Sequence, residues 1–278
     1  MKVAVTGATG FVGRHVVAEL ERRSLSPTLI CRPGSVVPPA FAKHTVVRFD
    51  VQAAPANAFD AMGQPETLIH LAWGGLPNYH SPHHVESELP AQYAFLERLV
   101  ESGLRNCIVT GTCLEYGMQS GMLCEECEAR PTNPYGMAKD ALRRQLESLR
   151  QRSPFNLTWA RVFYLYGEGQ SASSILPQLG QAVLRGDRQF AMSGGEQMRD
   201  YLPVETAAKH LVSLAMPPRD HGIVNVCSGT PISVRRLVED WIERNGWSIA
   251  LDLGKYPYPD YEPMAFWGND QKLRSIVG

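Results

Sequence analysis

Residues 2–20 of the chain, KVAVTGATGFVGRHVVAEL, decide its fold. The first five of them, KVAVT at 2–6, form a short apolar run that is typical of a buried strand and leads directly into glycines. After the glycines, apolar residues recur at helical spacing: Val12, Val16, Val17 and Leu20. The opening stretch therefore predicts a strand, a glycine-rich turn and a helix in immediate succession.

The same alternation continues along the rest of the chain. The predicted strands lie at 28–31, 45–49, 67–72, 107–110, 157–162 and 223–227. Helical periodicity marks 85–102 and 135–152. Strands that alternate with amphipathic helices form parallel sheets with helices on both faces. The sequence predicts an α/β protein with a Rossmann-type, doubly wound parallel sheet, whose ligand cleft lies at the carboxyl ends of the strands.

The amino-acid composition disfavours nucleic-acid-binding and membrane proteins. The 278 residues carry 27 Lys and Arg against 28 Asp and Glu, a net charge of −1 that gives no surplus for binding nucleic acid or anionic lipid. Hydrophobic residues make up 44%, enough for a sizeable core. We find no apolar run of membrane-spanning length, and glycine at position 7 comes too early for a secretory signal. We expect a cytoplasmic protein with no nucleic-acid or membrane partner.

The glycine loop predicts a dinucleotide site. TGATGFVG places Gly7, Gly10 and Gly13 three residues apart, between the first strand and the first helix. Glycine lets the backbone approach a pyrophosphate closely, and the helix N-terminus offers free N–H groups to it. The spacing is GxxGxxG instead of the plain GxGxxG fingerprint, so its position in the first strand–turn–helix carries the prediction.

Arg32 and Asp50, which follow the second and third predicted strands, indicate how the nucleotide is expected to bind. Arg32 follows the second strand, where an acidic residue would bind ribose hydroxyls and an arginine suits a 2′-phosphate. Arg32 favours NADP(H) over NAD(H); the alternative is a solvent-exposed arginine without a ligand. Asp50, after the third strand, is expected either to accept a hydrogen bond from the adenine amino group or to cap a helix.

Three side chains predict acid–base chemistry. Tyr135 and Lys139 in PYGMAK are four residues apart, on one face of a helix. A lysine ammonium nearby would lower the pKa of a tyrosine, which is otherwise about 10. Thr112, just after the fifth strand, adds a hydroxyl, and the three groups are expected to converge on one substrate oxygen.

At this point the sequence resembles a family, the extended short-chain dehydrogenases/reductases, and within it the NDP-sugar epimerase/dehydratase group. The matching stretches, in the order such proteins show, are TGATGFVG, Asp50-Val51, HLAW at 70–73, VTGTCLEYG at 109–117, NPYGMAK at 133–139, RVFYLYG at 161–167 and RDYLPVE at 199–205. The resemblance implies that Tyr135 is the acid–base, that Lys139 holds the nicotinamide ribose, and that Thr112 hydrogen-bonds the reacting oxygen.

The resemblance also implies binding residues. Those expected to bind the cofactor are Gly7, Thr9, Gly10, Phe11, Val12, Gly13, Arg32, Asp50, Val51, Leu71, Ala72, Trp73, Thr110, Tyr135, Lys139 and Val162. Those expected to bind the substrate are Thr112, Cys113, Tyr135, Tyr164 and Arg199. Arg199 is expected to clamp a nucleotide diphosphate, with a local ion pair to Asp200 as the alternative. Tyr164 departs from the family pattern, which often has asparagine there.

The family resemblance further suggests how the chain is divided. Residues 1–165 are expected to form the dinucleotide-binding domain, with 204–228 returning to it through the strand IVNVC. Residues 166–203 and 229–278 are expected to form a smaller substrate lobe. Related enzymes often pair through helices like those at 86–102 and 135–152, so a homodimer is expected.

Departures from the family pattern point to one reaction. Cys113 and Leu114 stand where dehydratases carry an acidic pair, which disfavours elimination of water. Arg32 favours NADPH and hence net reduction. We expect NADPH-dependent reduction of a nucleotide-activated 4-keto-6-deoxy sugar. The alternatives are an NDP-sugar epimerase, an aldehyde or flavonol-type carbonyl reductase, and a non-catalytic protein that senses NADP(H).

One cysteine motif and one histidine motif are not predicted to bind metal, and the cysteine motif is not predicted to serve in redox chemistry either. Cys124 and Cys127 in CEEC have no second Cys/His pair at zinc spacing, and the intervening glutamates oppose thiolate formation. HSPHH at 80–84 is interpreted as a loop at the rim of the pocket.

Overall fold

The computed structural model describes residues 1–278. The strands are β1 (Val3–Thr6), β2 (Thr28–Cys31), β3 (Val46–Arg48), β4 (Thr67–His70), β5 (Asn106–Thr112), β6 (Gly121–Leu123), β7 (Asn156–Val162), β8 (Tyr164–Tyr166), β9 (Gln189–Ala191), β10 (Met198–Pro203), β11 (Gly222–Val226), β12 (Pro231–Ser233), β13 (Ala250–Asp252) and β14 (Phe266–Gly268). The α-helices are α1 (Phe11–Arg22), α2 (Ala58–Ala61), α3 (Leu89–Glu101), α4 (Pro134–Arg152), α5 (Ile175–Arg185), α6 (Val204–Ala215), α7 (Val234–Asn245) and α8 (Gln271–Val277).

Seven parallel strands form the central sheet, in the order β11-β7-β5-β4-β1-β2-β3. The strand order reverses between β1 and β4, which makes the ends of these two strands the switch point at which such sheets bind ligands. The predicted doubly wound α/β fold is confirmed. The strand IVNVC lies at one edge of this sheet as β11, paired with β7.

The sheet is buried on both faces because successive residues of its strands, which point to opposite faces, are apolar. Val3 and Val5 of β1 belong to a core shared with α1, α6 and α8, whereas Ala4 points to a second core shared with α3 and α4. This double burial explains why the strands appear in the sequence as continuous apolar runs instead of alternating patterns.

A smaller lobe, made of β8, β9, β10, β12, β13, α5 and α7, has a core of its own around Leu179, Phe190 and Val238. β10 pairs in parallel with β8 and antiparallel with β12. The end of the chain differs from the expected division, because Leu273 of α8 packs into the core of the large sheet beside α6. β14 likewise pairs with β6.

The predicted element boundaries hold within one or two residues for most strands, and one helix differs. The segment expected to form a helix over 85–102 begins with a single π-helical turn, His84–Glu88, before α3. Such turns occur often at functional sites. No helix of the chain has both the length and the apolar character needed to span a membrane.

Candidate active site

A cleft of about 370 Å³ opens at the carboxyl ends of β1, β2 and β4, at the switch point of the sheet. Nine residues expected to bind the cofactor line it: Gly7, Thr9, Gly10, Arg32, Asp50, Val51, Leu71, Ala72 and Trp73. Of the others, Phe11, Val12 and Gly13 lie in the first turn of α1, Thr110 in β5, and Val162 at the end of β7. The structure therefore brings most of the predicted nucleotide residues to one edge of the sheet.

The glycine loop has the shape that a pyrophosphate needs. Gly7 has φ of +67°, which a side chain would strain, and a Cβ on Gly13 would lie 2.0 Å from the Gly7 carbonyl oxygen. Gly10, the N-cap of α1, supplies no side chain to satisfy the first N–H groups of the helix. These groups fit the phosphates of a dinucleotide, because they are free donors at the positive end of the helix dipole.

Arg32 directly follows β2, Asp50 follows β3, and both line the cleft. Arg32 is exposed, and Asp50 is half-buried. The Asp50 carboxylate accepts the Gln52 N–H at 3.0 Å and caps a short 3₁₀ turn, Val51–Ala53. Of the two roles expected for Asp50, the structure shows the cap, and Asp50 also lines the cleft.

Thr112, Tyr135 and Lys139 come together at the end of β5. α4 begins at Pro134, and the Asn133 side chain caps it by accepting the Gly136 N–H at 2.9 Å. This cap fixes the first turn of α4, so that Tyr135 and Lys139 face β5. The exposed fractions of Thr112, Tyr135 and Lys139 are 7%, 8% and 2%.

The electrostatics of Tyr135 differ from the sequence-based expectation. Burial, with Tyr79, Glu115 and Cys113 nearby, raises the pKa of Tyr135, and the hydrogen bond with Thr112 opposes that shift. Lys139 places its ammonium 5.9 Å from the centre of the Tyr135 ring, without a hydrogen bond to the Tyr135 hydroxyl. Its ammonium instead donates to the Thr110 carbonyl at 2.8 Å and lies 4.0 Å from the centre of the Trp73 ring. Burial lowers the pKa of Lys139 itself to about 7.

An aromatic cluster encloses Tyr135. The rings of Trp73, Tyr79 and His84 lie 6.0, 5.5 and 5.2 Å from its own. Trp73 Nε1–H donates to His84 Nδ1 at 3.1 Å, so the His84 proton is on Nε2, which donates to the Asn78 carbonyl at 2.8 Å. The segment 80–84 thus lies beside the site, and His84 serves to hold the Trp73 indole.

A buried carboxylate fixes the loop that carries Thr112. Glu115 has no exposed surface, and its Oε1 accepts the Thr112 N–H at 2.8 Å. Its carboxylate also accepts Trp159 Nε1–H at 2.9 Å and Arg161 Nε–H at 2.7 Å from β7. Sequence reasoning missed this group, although the Thr-x-x-Glu spacing at 112–115 is that of a capping box.

The expected substrate residues Cys113, Tyr164 and Arg199 share one cluster beside Thr112. Arg199 is 2% exposed and donates to Glu262 Oε2 at 2.9 Å, and the Tyr164 hydroxyl donates to the other oxygen of Glu262. Arg199 therefore does not pair with Asp200, whose carboxylate accepts the N–H groups of Ser228, Gly229 and Gly268. A diphosphate would have to compete with Glu262 for Arg199.

Sequence reasoning missed a further group of residues at the cleft. They form a hydrogen-bonded chain between segments that are far apart in sequence. Gln92 Nε2–H donates to Glu88 at 2.8 Å, so Gln92 Oε1 accepts His70 Nε2–H at 2.7 Å. His70 Nδ1 then accepts the Thr6 hydroxyl proton at 2.9 Å. Burial lowers the pKa of His70 to about 3, in keeping with its neutral ring. The only signal in the sequence is the i, i+4 spacing of Glu88 and Gln92.

Comparison with known proteins decides the family. A family model described as "NAD dependent epimerase/dehydratase family" matches residues 3–227, most of the chain. The chain belongs to this family. The expected resemblance is thereby confirmed, as is the expectation of an NAD(P)-dependent enzyme.

Individual members of the family differ in cofactor and substrate. The chain is 30% identical over 271 residues to dTDP-6-deoxy-L-talose 4-dehydrogenase (NAD(+)) of Aggregatibacter actinomycetemcomitans, which covers 96% of this chain and 99% of that protein. It is 26% identical over 274 residues to dTDP-6-deoxy-L-talose 4-dehydrogenase (NAD(P)(+)) of Kitasatospora kifunensis, covering 93% and 83%. The structure of MoeE5 in complex with UDP-glucuronic acid and NAD has a TM-score of 0.84 at 26% identity, covering 100% and 93%.

Proposed function

We propose that this family member is a nucleotide-sugar ketoreductase, which reduces a nucleotide-activated 4-keto-6-deoxy sugar with NADPH. The observation that carries the proposal is the buried cluster of Thr112, Tyr135 and Lys139 beside the glycine-loop cleft. The relatives named as 4-dehydrogenases of a dTDP-linked 6-deoxy sugar support it, because reduction of the 4-keto sugar is the reverse of that oxidation.

The roles of the three side chains follow from their positions. The glycine loop and the cleft around Trp73 would hold the reduced nicotinamide coenzyme, which would supply a hydride there. Tyr135, whose raised pKa keeps it protonated, delivers the proton to the developing alkoxide, and the Thr112 hydroxyl donates a hydrogen bond to the same oxygen. The Lys139 ammonium lies one helical turn away, where its positive charge stabilises the phenolate left after proton transfer.

Replacing Tyr135 tests this mechanism directly. Tyr135→Phe removes the proton donor and keeps the ring, so we expect kcat to fall by at least ~10²-fold, the usual contribution of a positioned acid, with coenzyme affinity nearly unchanged. Tyr93→Phe is the matched control, because the Tyr93 hydroxyl contacts only α3 and α4 groups, Glu97 and Arg152.

The assay uses dTDP-6-deoxy-L-talose with oxidised coenzyme, and the corresponding 4-keto sugar with reduced coenzyme, followed by nicotinamide absorbance. Steady turnover by the wild-type protein and its loss in Tyr135→Phe are expected. Formation of an isomeric sugar without net change in absorbance would instead assign an NDP-sugar epimerase. Binding of coenzyme with no turnover of any sugar nucleotide would favour a sensor of NADP(H).

Arg32 carries the proposed preference for NADP(H). Its guanidinium is exposed at the edge of the cleft, where a 2′-phosphate on the adenosine ribose would find a bidentate partner. We expect Arg32→Ala to weaken NADPH binding about tenfold or more and to leave NADH binding within a factor of two or so, measured by calorimetry. Equal loss of affinity for both coenzymes, or stronger NADH binding by the wild type, would contradict the preference.

A further inference from the structure

The CEEC motif forms a tight turn that holds two thiols together. The Cys127 N–H donates to the Cys124 carbonyl at 3.1 Å, which closes a β-turn over residues 124–127. The two sulfur atoms are 3.2 Å apart, and the Cys124 N–H donates to Cys127 Sγ at 3.3 Å. Both thiols are free and partly exposed, whereas Cys31, Cys107, Cys113 and Cys227 are buried.

This geometry is close to that of a disulfide. An S–S bond is about 2.05 Å long, so the sulfur atoms have to move together by little more than 1 Å. The turn that brings the two residues together already exists, so that bond formation needs small side-chain rotations and little change in the backbone. No other pair of cysteines in the chain has its sulfur atoms in contact.

We propose that Cys124 and Cys127 are a reversible dithiol–disulfide pair that exchanges with low-molecular-weight disulfides of the glutathione type. One thiolate attacks a sulfur of the disulfide R–S–S–R, which gives a mixed disulfide and releases the first thiol. The second protein thiolate then attacks the protein sulfur of the mixed disulfide, which forms the Cys124–Cys127 bond and releases the second thiol. The protein loses two electrons and two protons, and R–S–S–R gains them as two R–SH.

The contacts of the two sulfurs suit them to successive steps. The pKa of Cys124 is raised chiefly by its hydrogen bond with Cys127, with further contributions from burial and Glu126. The Cys124 N–H that donates to Cys127 Sγ at 3.3 Å favours the thiolate form of Cys127, so Cys127 attacks first and Cys124 is the second thiol to react. The attacking thiolate has to be exposed to reach its partner, and the partial exposure of Cys127 meets that requirement.

The turn also touches the structure around the candidate active site. The Cys124 carbonyl accepts the Tyr116 hydroxyl at 3.0 Å, and Glu125 accepts the Asn225 N–H of β11 at 2.8 Å. Cys127 packs against the cluster that contains Cys113 and Phe163. The turn that carries the two thiols is thus held by contacts with Tyr116, with Asn225 of β11 and with the cluster that contains Cys113.

The test equilibrates the full-length protein with mixtures of reduced and oxidised glutathione, stops exchange with acid, and alkylates the remaining thiols before mass spectrometry. We expect the peptide containing Cys124 and Cys127 to lose two hydrogens in a ratio-dependent manner that dithiothreitol reverses. The four buried cysteines are expected to stay reduced and to react with the alkylating reagent only after denaturation.

Single substitutions provide matched controls that do not touch the proposed catalytic groups. Cys124→Ser should retain a mixed disulfide at Cys127, because the thiol that resolves it is missing, and Cys127→Ser should show slow adduct formation at Cys124. Two alkylatable thiols at 124 and 127 in the wild type under the most oxidising mixture would overturn the proposal. So would a mixed disulfide that persists in the wild type.

Discussion

Lys139 is a cation held almost entirely out of water, with its ammonium between the Thr110 carbonyl and the Trp73 ring. Burial lowers its pKa from 10.5 to about 7. Between these values the unfolded chain binds a proton at Lys139 that the folded chain does not bind. The free energy of unfolding contributed by this group therefore rises with pH across that window, and below about pH 7 the full cost of burying the charge is present.

We expect this cost to be visible in Lys139→Met. Met carries no charge, so the variant should gain stability relative to the wild type near pH 7. That gain should shrink by up to about 1.4 kcal/mol per pH unit toward pH 10. Urea unfolding of both proteins over this range measures the difference, and other titrating groups cancel because both chains share them. Parallel pH profiles would show that Lys139 is charged to the same extent in the folded and unfolded states.

Strands β5 and β7 pack closely at Gly111, where there is no space for a side chain. A Cβ on Gly111 of β5 would lie 2.2 Å from Trp159 Nε1 of β7 and 2.4 Å from Glu115 Oε1. Trp159 Nε1–H donates to the Glu115 carboxylate, and Glu115 Oε1 accepts the Thr112 N–H. The packing of β5 against β7 and the position of Thr112 therefore both depend on the absence of a side chain at Gly111.

The substitution Gly111→Ala should disturb both the strand packing and the position of Thr112. We expect the free energy of unfolding to fall by about 1–3 kcal/mol from overpacking, and kcat to fall more than coenzyme affinity because Thr112 moves with Glu115. Gly180→Ala in α5 is the matched control, since the nearest atom to its added Cβ is Trp247 Cη2 at 3.6 Å, an ordinary contact. Denaturant unfolding, steady-state kinetics and coenzyme titration give the three readouts. A drop in stability with unchanged kcat would separate Thr112 from the Glu115 network.

For the strands and helices, the sequence predicted well the features that depend on residues close together in the chain. The strands were located because their apolar runs are buried on both faces, and the helix of Tyr135 was located because helical periodicity marks 135–152. Glu262 was missed because its partners, Arg199 and Tyr164, are 63 and 98 residues away. Glu115 has a local signal, the capping-box spacing with Thr112, but its partners in β7 are 44 and 46 residues away, and no local pattern reveals them. The π-helical turn at 84–88 was missed for a similar reason: its conformation depends on Glu88 reaching Gln52 and Gln92.

In the molecule as a whole, Glu262 connects parts that are far apart in sequence. It follows β13, yet its carboxylate binds Arg199 of β10 and Tyr164 of β8, next to Cys113. This buried carboxylate already occupies the guanidinium that was expected to bind a diphosphate. A substrate diphosphate that binds Arg199 would therefore have to displace the Glu262 carboxylate.

Glu262→Gln should reveal that competition. Removing the charge of one partner leaves Arg199 buried without a counter-ion, so we expect stability to fall by about 3 kcal/mol or more. We also expect the KM for the sugar nucleotide to fall several-fold, because the diphosphate no longer competes with a carboxylate. Glu239→Gln, which breaks an exposed pair with Arg235, is the control. An unchanged or higher KM would mean that Arg199 does not contact the substrate.

The chain crosses between the large sheet and the smaller lobe more than once. It leaves the sheet after β7, returns for α6 and β11, and enters the lobe again at β12. An exchange of the whole lobe between two related genes would therefore also exchange α6 and β11, which belong to the large sheet. Its new β11 would have to pair with the old β7, so a lobe of this kind cannot be replaced without also replacing part of the sheet that carries the candidate active site.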